Sequence, residues 1–185
     1  MTRPYYPLSD YLKEKFGCKV FRVGLNAGLT CPNRDGTKGS GGCVYCDPET
    51  LVPKDFKKGA TIEDQLKSGI ERVKKRHNAE KFIAYFQANT NTYAPIEELE
   101  RLYGAALKNP DVVSIAISTR PDCVNEAIIE LLKKIKNQKH LWLELGLQSS
   151  NNKTLKLINR GETAEEFADA VRLAKAAGID VCGHI

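Results

Sequence analysis

The sequence predicts an α/β fold, a parallel sheet covered by helices. Short, near-continuous apolar strands alternate with amphipathic helical stretches, in the order strand, helix, strand, helix, strand, helix, strand, helix pair, strand. The 185 residues suit one domain, and no repeat, low-complexity tract or internal linker divides them.

Residues 19–25 alternate as the first strand, which leaves 1–18 as an N-terminal extension and 19–185 as the core. A loop rich in Gly, Pro, Asn and Asp follows, from residue 26 to about 59. Connections usually run about 4–6 residues, so a loop this long points to function. Residues 62–77 read as a helix, with Thr61 as N-cap and Asp64 completing a capping box only loosely. Its basic end, Lys74-Lys75-Arg76, suits the helix dipole. Strands at 81–87 and 112–118 flank a helix at 95–107 with Pro95 in its first turn. The next helix, 124–135, carries Ile128, Leu131, Leu132 and Ile135 on one face. A strand at 141–147, a short helix at 152–158 and a longer helix at 164–177 ended by Gly178 come next. The fifth strand, 179–185, is cut with no turn or cap after it. The expectation is a fragment of a longer protein, truncated at about the fifth strand, with an exposed edge that favours self-association.

With 42% hydrophobic and 28% charged residues, the composition excludes global disorder. A net charge of +5 permits an anionic partner without specifying one. No apolar run approaches the roughly 18 residues of a membrane span, and the first residues lack a signal-peptide core. The expectation is a cytoplasmic protein with no membrane association. Six cysteines are too few for a disulfide scaffold in a chain of this length. In the cytosol, clustered cysteines more often bind metal or do catalysis.

Three of them, Cys31, Cys43 and Cys46, form a C-x11-C-x2-C pattern in the long loop. Parallel α/β folds bind ligands at such a place, beyond the C-terminal ends of strands. Three thiolates can hold three irons of a four-iron cluster and leave one iron open. They can also hold zinc with a fourth ligand from elsewhere, although structural zinc normally shows a second C-x2-C or paired histidines, and neither is present. The alternative to an enzyme is therefore a zinc-stabilised nucleic-acid-binding module that uses the same cysteines and the basic helix ends at 74–76 and at Lys133, Lys134 and Lys136.

Three cysteines after the first strand, with Tyr45 just before the third, look like the radical-SAM superfamily. The whole chain resembles its YhcC-like family. The resemblance rests on Val23-Gly24-Leu25-Asn26-Ala27-Gly28, Thr30-Cys31-Pro32-Asn33-Arg34-Asp35-Gly36 and Phe86-Gln87-Ala88-Asn89-Thr90-Asn91-Thr92-Tyr93. It rests equally on Ser118-Thr119-Arg120-Pro121-Asp122, Glu144-Leu145-Gly146-Leu147-Gln148-Ser149 and Asn159-Arg160-Gly161. The chain is more distantly similar to the radical domain of the Elongator catalytic subunit and to oxygen-independent coproporphyrinogen oxidase.

The resemblance implies a partial (β/α) TIM-like barrel of the radical-SAM type, with five of six strands present. It implies that Cys31, Cys43 and Cys46 ligate a [4Fe-4S] cluster whose open iron takes the amino and carboxylate groups of S-adenosyl-L-methionine. One electron, from a reductant such as flavodoxin or ferredoxin, then cleaves the sulfonium bond, and the radical formed takes hydrogen from a substrate. The resemblance leaves that substrate unnamed; the Elongator likeness suggests tRNA, by fold-level analogy.

For the cosubstrate, the resemblance implies Tyr45 near the adenine and Gln148 and Arg160 at the ribose and carboxylate. An arginine fork suits a carboxylate because it bonds it bidentately. Ser118 is a further ribose candidate. Gln87 and Asn89 stand where many members meet the methionyl amino group with a glycine-rich stretch that this chain lacks. The plainer readings are loop packing for Tyr45, a polar turn at Gln87 and Asn89, a strand-end hydroxyl at Ser118 and a surface arginine at Arg160. Glu144, inside an apolar strand, must be paired or neutral: it faces substrate or makes a structural ion pair. Arg120 and Asp122 form such a pair or contact substrate. Cys18, Cys123 and Cys182 read as bystanders, His77 as solvent-facing, and His184 as outside the barrel interior.

Overall fold

The computed structural model describes residues 4–52 and 59–185; the last part of the long loop, 53–58, lies outside the described residues. Five parallel strands form one sheet: β1 (Val20–Leu25), β2 (Lys81–Phe86), β3 (Val112–Thr119), β4 (His140–Gly146) and β5 (Asp180–His184). Their spatial order is β1-β2-β3-β4-β5, the order in sequence. A doubly wound sheet would reverse order at a switch point and carry helices on both faces. Here the sheet winds one way, as a barrel does, and stays open between β1 and β5.

The helices are α1 (Leu8–Phe16), α2 (Ile62–His77), α3 (Ile96–Leu107), α4 (Glu126–Lys136), α5 (Asn152–Leu157) and α6 (Ala164–Ala176). Helices α2, α3, α4 and α6 pack on the outer face, where Phe82, Ala84, Phe86, Ile115, Ile117, Leu141, Leu143 and Leu145 form the main core. Side chains alternate across a strand, so the residues between these line the inner face. Ile83, Tyr85, Ala116 and Trp142 stand there, in a second cluster. Glu144 follows Trp142 by two and shares that face, which explains a carboxylate in an otherwise apolar strand.

Local chemistry sets the helix boundaries. Thr61 accepts from the Asp64 N–H and Asp64 reaches back to Thr61, so the loosely expected capping box is complete. Helix α4 starts at Glu126 because the Asn125 side chain accepts from the Ile128 N–H, which excludes residues 124–125. Pro95 stands just before α3 rather than inside its first turn.

Helix α1 is absent from the sequence reading. It seals the inner face at the end where the strands begin. Its Leu12 is buried against Val20, Ile83 and Trp142, with Tyr11 and Phe16 beside it. Phe16 meets the His140 ring edge-on at 5.8 Å. His77 also departs from expectation, stacking on Phe21 at 4.3 Å.

Truncating Leu12 removes the plug. Leu12→Ala should cost about 2–5 kcal/mol in denaturant unfolding, the range for a buried leucine. It should also red-shift the emission of Trp142, the one tryptophan in the sequence. An unchanged midpoint and spectrum would show that α1 does not seal the sheet.

Candidate active site

The loop after β1 folds back on itself. The Arg34 N–H donates to the Cys31 carbonyl at 2.8 Å, Gly42 to Asn33 at 2.8 Å and Cys46 to Cys43 at 2.9 Å. Asn33 is buried at the centre. Its Nδ2 donates to the Asn159 carbonyl at 2.6 Å and lies 3.5 Å from Cys43 Sγ. Asn159 Nδ2 reciprocates, donating to the Gly42 carbonyl at 2.8 Å. The Val44 N–H donates to Ile158 at 3.1 Å. The turn between α5 and α6 thus clamps the cysteine loop. Gly42 is required by this geometry: its φ is +81°, and a Cβ would sit 2.7 Å from Arg34 Nε.

Two buried arginines fix that turn. Arg160 donates from Nε to Glu162 at 2.7 Å and from NH2 to the Gly146 carbonyl at 3.0 Å, and its NH1 lies 3.7 Å from Cys43 Sγ. Three of its five N–H groups are thereby engaged, so it is no surface arginine. Arg120, 3% exposed, grips Asp122 with both arms at 2.9 Å and donates to the Arg160 carbonyl at 2.8 Å. It also lies 3.3 Å from Glu162 Oε2. Arg120 and Asp122 are therefore a pair, joined by Lys38 at 2.6 Å from Asp122. Burial works against the Asp122 anion, but Arg120 and Lys38 outweigh it and hold the carboxyl below its ordinary value.

Cys31, Cys43, Cys46 and Arg160 line one cleft beyond the C-terminal ends of the strands. The remaining candidates line the same cleft: half-exposed Tyr45, Gln87 and Asn89 after β2, Ser118 at the end of β3, and Gln148 after β4. Asn89 and Gln148 both have φ of +64°. A left-handed backbone is ordinary for asparagine and uncommon for glutamine, and such strain gathers at functional sites. Gly146 makes room: a Cβ there would lie 2.6 Å from Gln148 Nε2 and 2.9 Å from Arg160 NH2.

The sequence reading did not assign several further lining groups, among them Arg34, Thr90, Thr119 and Gly146. Glu144 and His184 also reach the cleft. Glu144 is 2% exposed. It accepts from Tyr85 Oη at 2.6 Å, Trp142 Nε1 at 2.9 Å and Arg22 at 3.4 Å. His184 Nε2 lies 3.1 Å from its Oε2, so this histidine faces the interior, against expectation. Burial, then the Glu144 bond, push the Tyr85 phenol up to about 12, so it remains a donor. Cys123 fits a bystander: burial, aided by the Asp122 charge, pushes its thiol up to about 12.

The three cysteines are not drawn together for a single zinc. Tetrahedral zinc at about 2.3 Å from each sulfur needs thiols within about 4 Å of one another. Among the described residues, the group of three metal-ligating side chains with donor atoms within 4.8 Å of one another is Glu144, Cys182 and His184; the three cysteine thiols are spread more widely. Ligands on separate irons of a cluster fit a wider spread, and sulfur-directed donors from Asn33 and Arg160 suit such ligands. The basic helix ends do not share a face with the cysteines either. Helix α2 ends at His77 just before β2 begins, and α4 ends at Lys136 just before β4 begins. Both basic ends therefore sit on the rim where strands start, opposite the cysteines.

Residues 31–185 match the family model described as the radical SAM superfamily. The chain is 40% identical over 185 residues to the uncharacterised protein YtqA of Bacillus subtilis, covering 98% of this chain and 56% of that protein. It is 38% identical over 175 residues to YhcC of Escherichia coli, covering 94% and 55%. The chain thus spans about half the length of these curated relatives. Among solved structures, the Methanocaldococcus infernus Elp3 lacking its N-terminus aligns with a TM-score of 0.58 at 23% identity, over 89% of this chain and 37% of that one. The cobalamin-dependent S-adenosylmethionine radical enzyme OxsB aligns at 0.55 and 21% identity, over 86% and 23%. The chain belongs to the radical SAM superfamily, a family of enzymes, and its open parallel sheet is the partial barrel of that fold. Among the described residues, no helix is long and apolar enough to cross a membrane.

The Asp122 pair has a pH signature. A depressed carboxyl contributes stability that is fully present above its unfolded value, about 4, and is lost as pH falls through the folded one. Asp122→Asn leaves Arg120 with a buried, poorly compensated charge and should cost roughly 3 kcal/mol near neutral pH. The difference in melting temperature from the wild type should shrink as the pH drops below about 4. A difference independent of pH would show that the Asp122 charge is not the stabilising element.

Proposed function

We propose that the protein is a radical-SAM enzyme in which Cys31, Cys43 and Cys46 hold a [4Fe-4S] cluster and the cleft beside them holds S-adenosyl-L-methionine. The observation that carries this is convergence. Nine residues drawn from five separate chain segments line one cleft at the end of the sheet where parallel folds bind ligands. When bound, the cluster and its cosubstrate supply one-electron radical chemistry, while the protein supplies binding and orientation.

In this reading each side chain has a defined task. The loop clamp from Asn33 and Asn159 fixes the three thiols in place. Asn33 and Arg160 direct N–H groups at Cys43 Sγ, a contact that tunes a cluster's potential. The two N–H groups that Arg160 has left are the ones available to a carboxylate. Gln148 and Ser118 offer hydrogen bonds to ribose hydroxyls, Gln87 and Asn89 to the amino group, and Tyr45 a ring face to the adenine. Turnover requires a one-electron reductant, flavodoxin or ferredoxin in kind. The substrate enters the inner face between Tyr85, Ser118 and Glu144. A tRNA substrate, suggested by the Elongator likeness, would reach the cleft without help from the basic helix ends on the opposite rim.

Anaerobically reconstituted, dithionite-reduced protein should convert S-adenosyl-L-methionine to 5′-deoxyadenosine, read by chromatography. Cys43→Ala should abolish the product. Gln148→Ala should raise the KM for the cosubstrate about tenfold, the worth of one hydrogen bond. Equal product from Cys43→Ala and wild type would overturn the assignment.

A further inference from the structure

Glu144, Cys182 and His184 form a second constellation, apart from the three cysteines. We propose that they are a mononuclear zinc site, distinct from the cluster, whose remaining coordination positions open into the cleft. The strand register builds it. Glu144 pairs with Cys182 across β4 and β5, and Gly146 pairs with His184 one step further on. Cys182 and His184 are two apart and so project from the same face of β5, the face Glu144 occupies on β4. The sheet itself therefore holds a carboxylate, a thiol and an imidazole together, with donor atoms within 4.8 Å of one another.

The donor set is borderline-soft and mixed, the kind zinc takes. Tetrahedral zinc at about 2.0–2.3 Å from each ligand separates the ligand atoms by about 3.3–3.8 Å. Exposed Cys182 and half-exposed His184 can close that difference by small side-chain rotations. The supporting shell is already present. Tyr85 Oη donates to Glu144 Oε2 at 2.6 Å, the oxygen that faces His184. Trp142 Nε1 and Arg22 hold Oε1 at 2.9 and 3.4 Å, and Tyr85 and Ser118 donate to Oε2 at 2.6 and 3.3 Å, which orients the carboxylate so that Oε2 is turned to His184. Hydrogen bonds of this kind to a ligating carboxylate fix its direction and tune the ion.

Three protein ligands with a remaining open position are the pattern of a reactive zinc rather than a closed structural one. Glu144 and His184 line the same cleft as Ser118 and Gln148. Water, or an oxygen or sulfur donor on a bound ligand, would complete the coordination there. The ion would then anchor the molecule that occupies the inner face.

The test counts metals separately. Reconstituted wild-type protein dialysed against zinc and then a mild chelator should retain one zinc per chain beside its iron. Cys182→Ala and His184→Ala should each lower the zinc at least tenfold with iron unchanged. A second measurement does not depend on the cluster. A variant with Cys31, Cys43 and Cys46 all changed to alanine, titrated with cobalt(II), should show thiolate-to-cobalt absorption that disappears on adding Cys182→Ala. Zinc retention equal in the wild type and in both single variants would overturn the proposal, as would cobalt–thiolate absorption that survives the loss of Cys182.

Discussion

The candidate site depends on a pair of buried arginines at the turn between α5 and α6. Arg120 ties the end of β3 to the carbonyl of Arg160, and Arg160 ties the same turn to the end of β4 and to Cys43. Cations buried this deeply survive only when they are paired and hydrogen-bonded. Asp122, Glu162 and the backbone carbonyls of Gly146, Arg160 and Gly161 supply them. Because the partners come from β3, β4 and the turn, the arginines lock the turn against the sheet. Asn33 and Asn159 then lock the cysteine loop against the turn. The loop is long and glycine-rich, yet its thiols are held by the sheet at second hand.

The inner face of the sheet shows a division of labour along its length. At the end where strands begin, Leu12, Tyr11 and Phe16 of α1 fill the space with apolar groups. At the other end, Ser118, Glu144 and His184 present polar groups to the cleft, with Tyr85 bonded to Glu144. Glu144 lies between the two regions and collects hydrogen bonds from three strands besides its own contact with Trp142. A buried carboxylate with so many donors is fully partnered and fixed in direction, which makes it a defined wall of the interior rather than a liability.

Much of this was legible because periodicity is strong in the strands and helices. The near-continuous apolar runs at β2, β3 and β4 could only be strands buried on both faces, and the order of elements followed. Helix α1 was legible in principle: Leu8, Leu12 and Phe16 recur at helical spacing before Gly17, which closes the helix in the left-handed region. Two prolines around a pair of tyrosines obscured it. The cysteines and the residues of the family segments were readable as candidates. Their partners were not, since Asn33 meets Asn159 across 126 residues and Arg160 meets Cys43 across 117. Nor does any local signal announce the left-handed backbone at Gln148. His184 was misjudged because its inward face is set by register with β4, which only the folded sheet defines.

Whether the clamped loop presents its three thiols to a cluster with one iron open to the cleft is decided by electron paramagnetic resonance of the anaerobically reconstituted, dithionite-reduced protein. The expected result is a four-iron signal whose g values shift when S-adenosyl-L-methionine is added. A four-iron signal indifferent to that addition, or tightly held zinc at the three cysteines with no cluster signal, would contradict it.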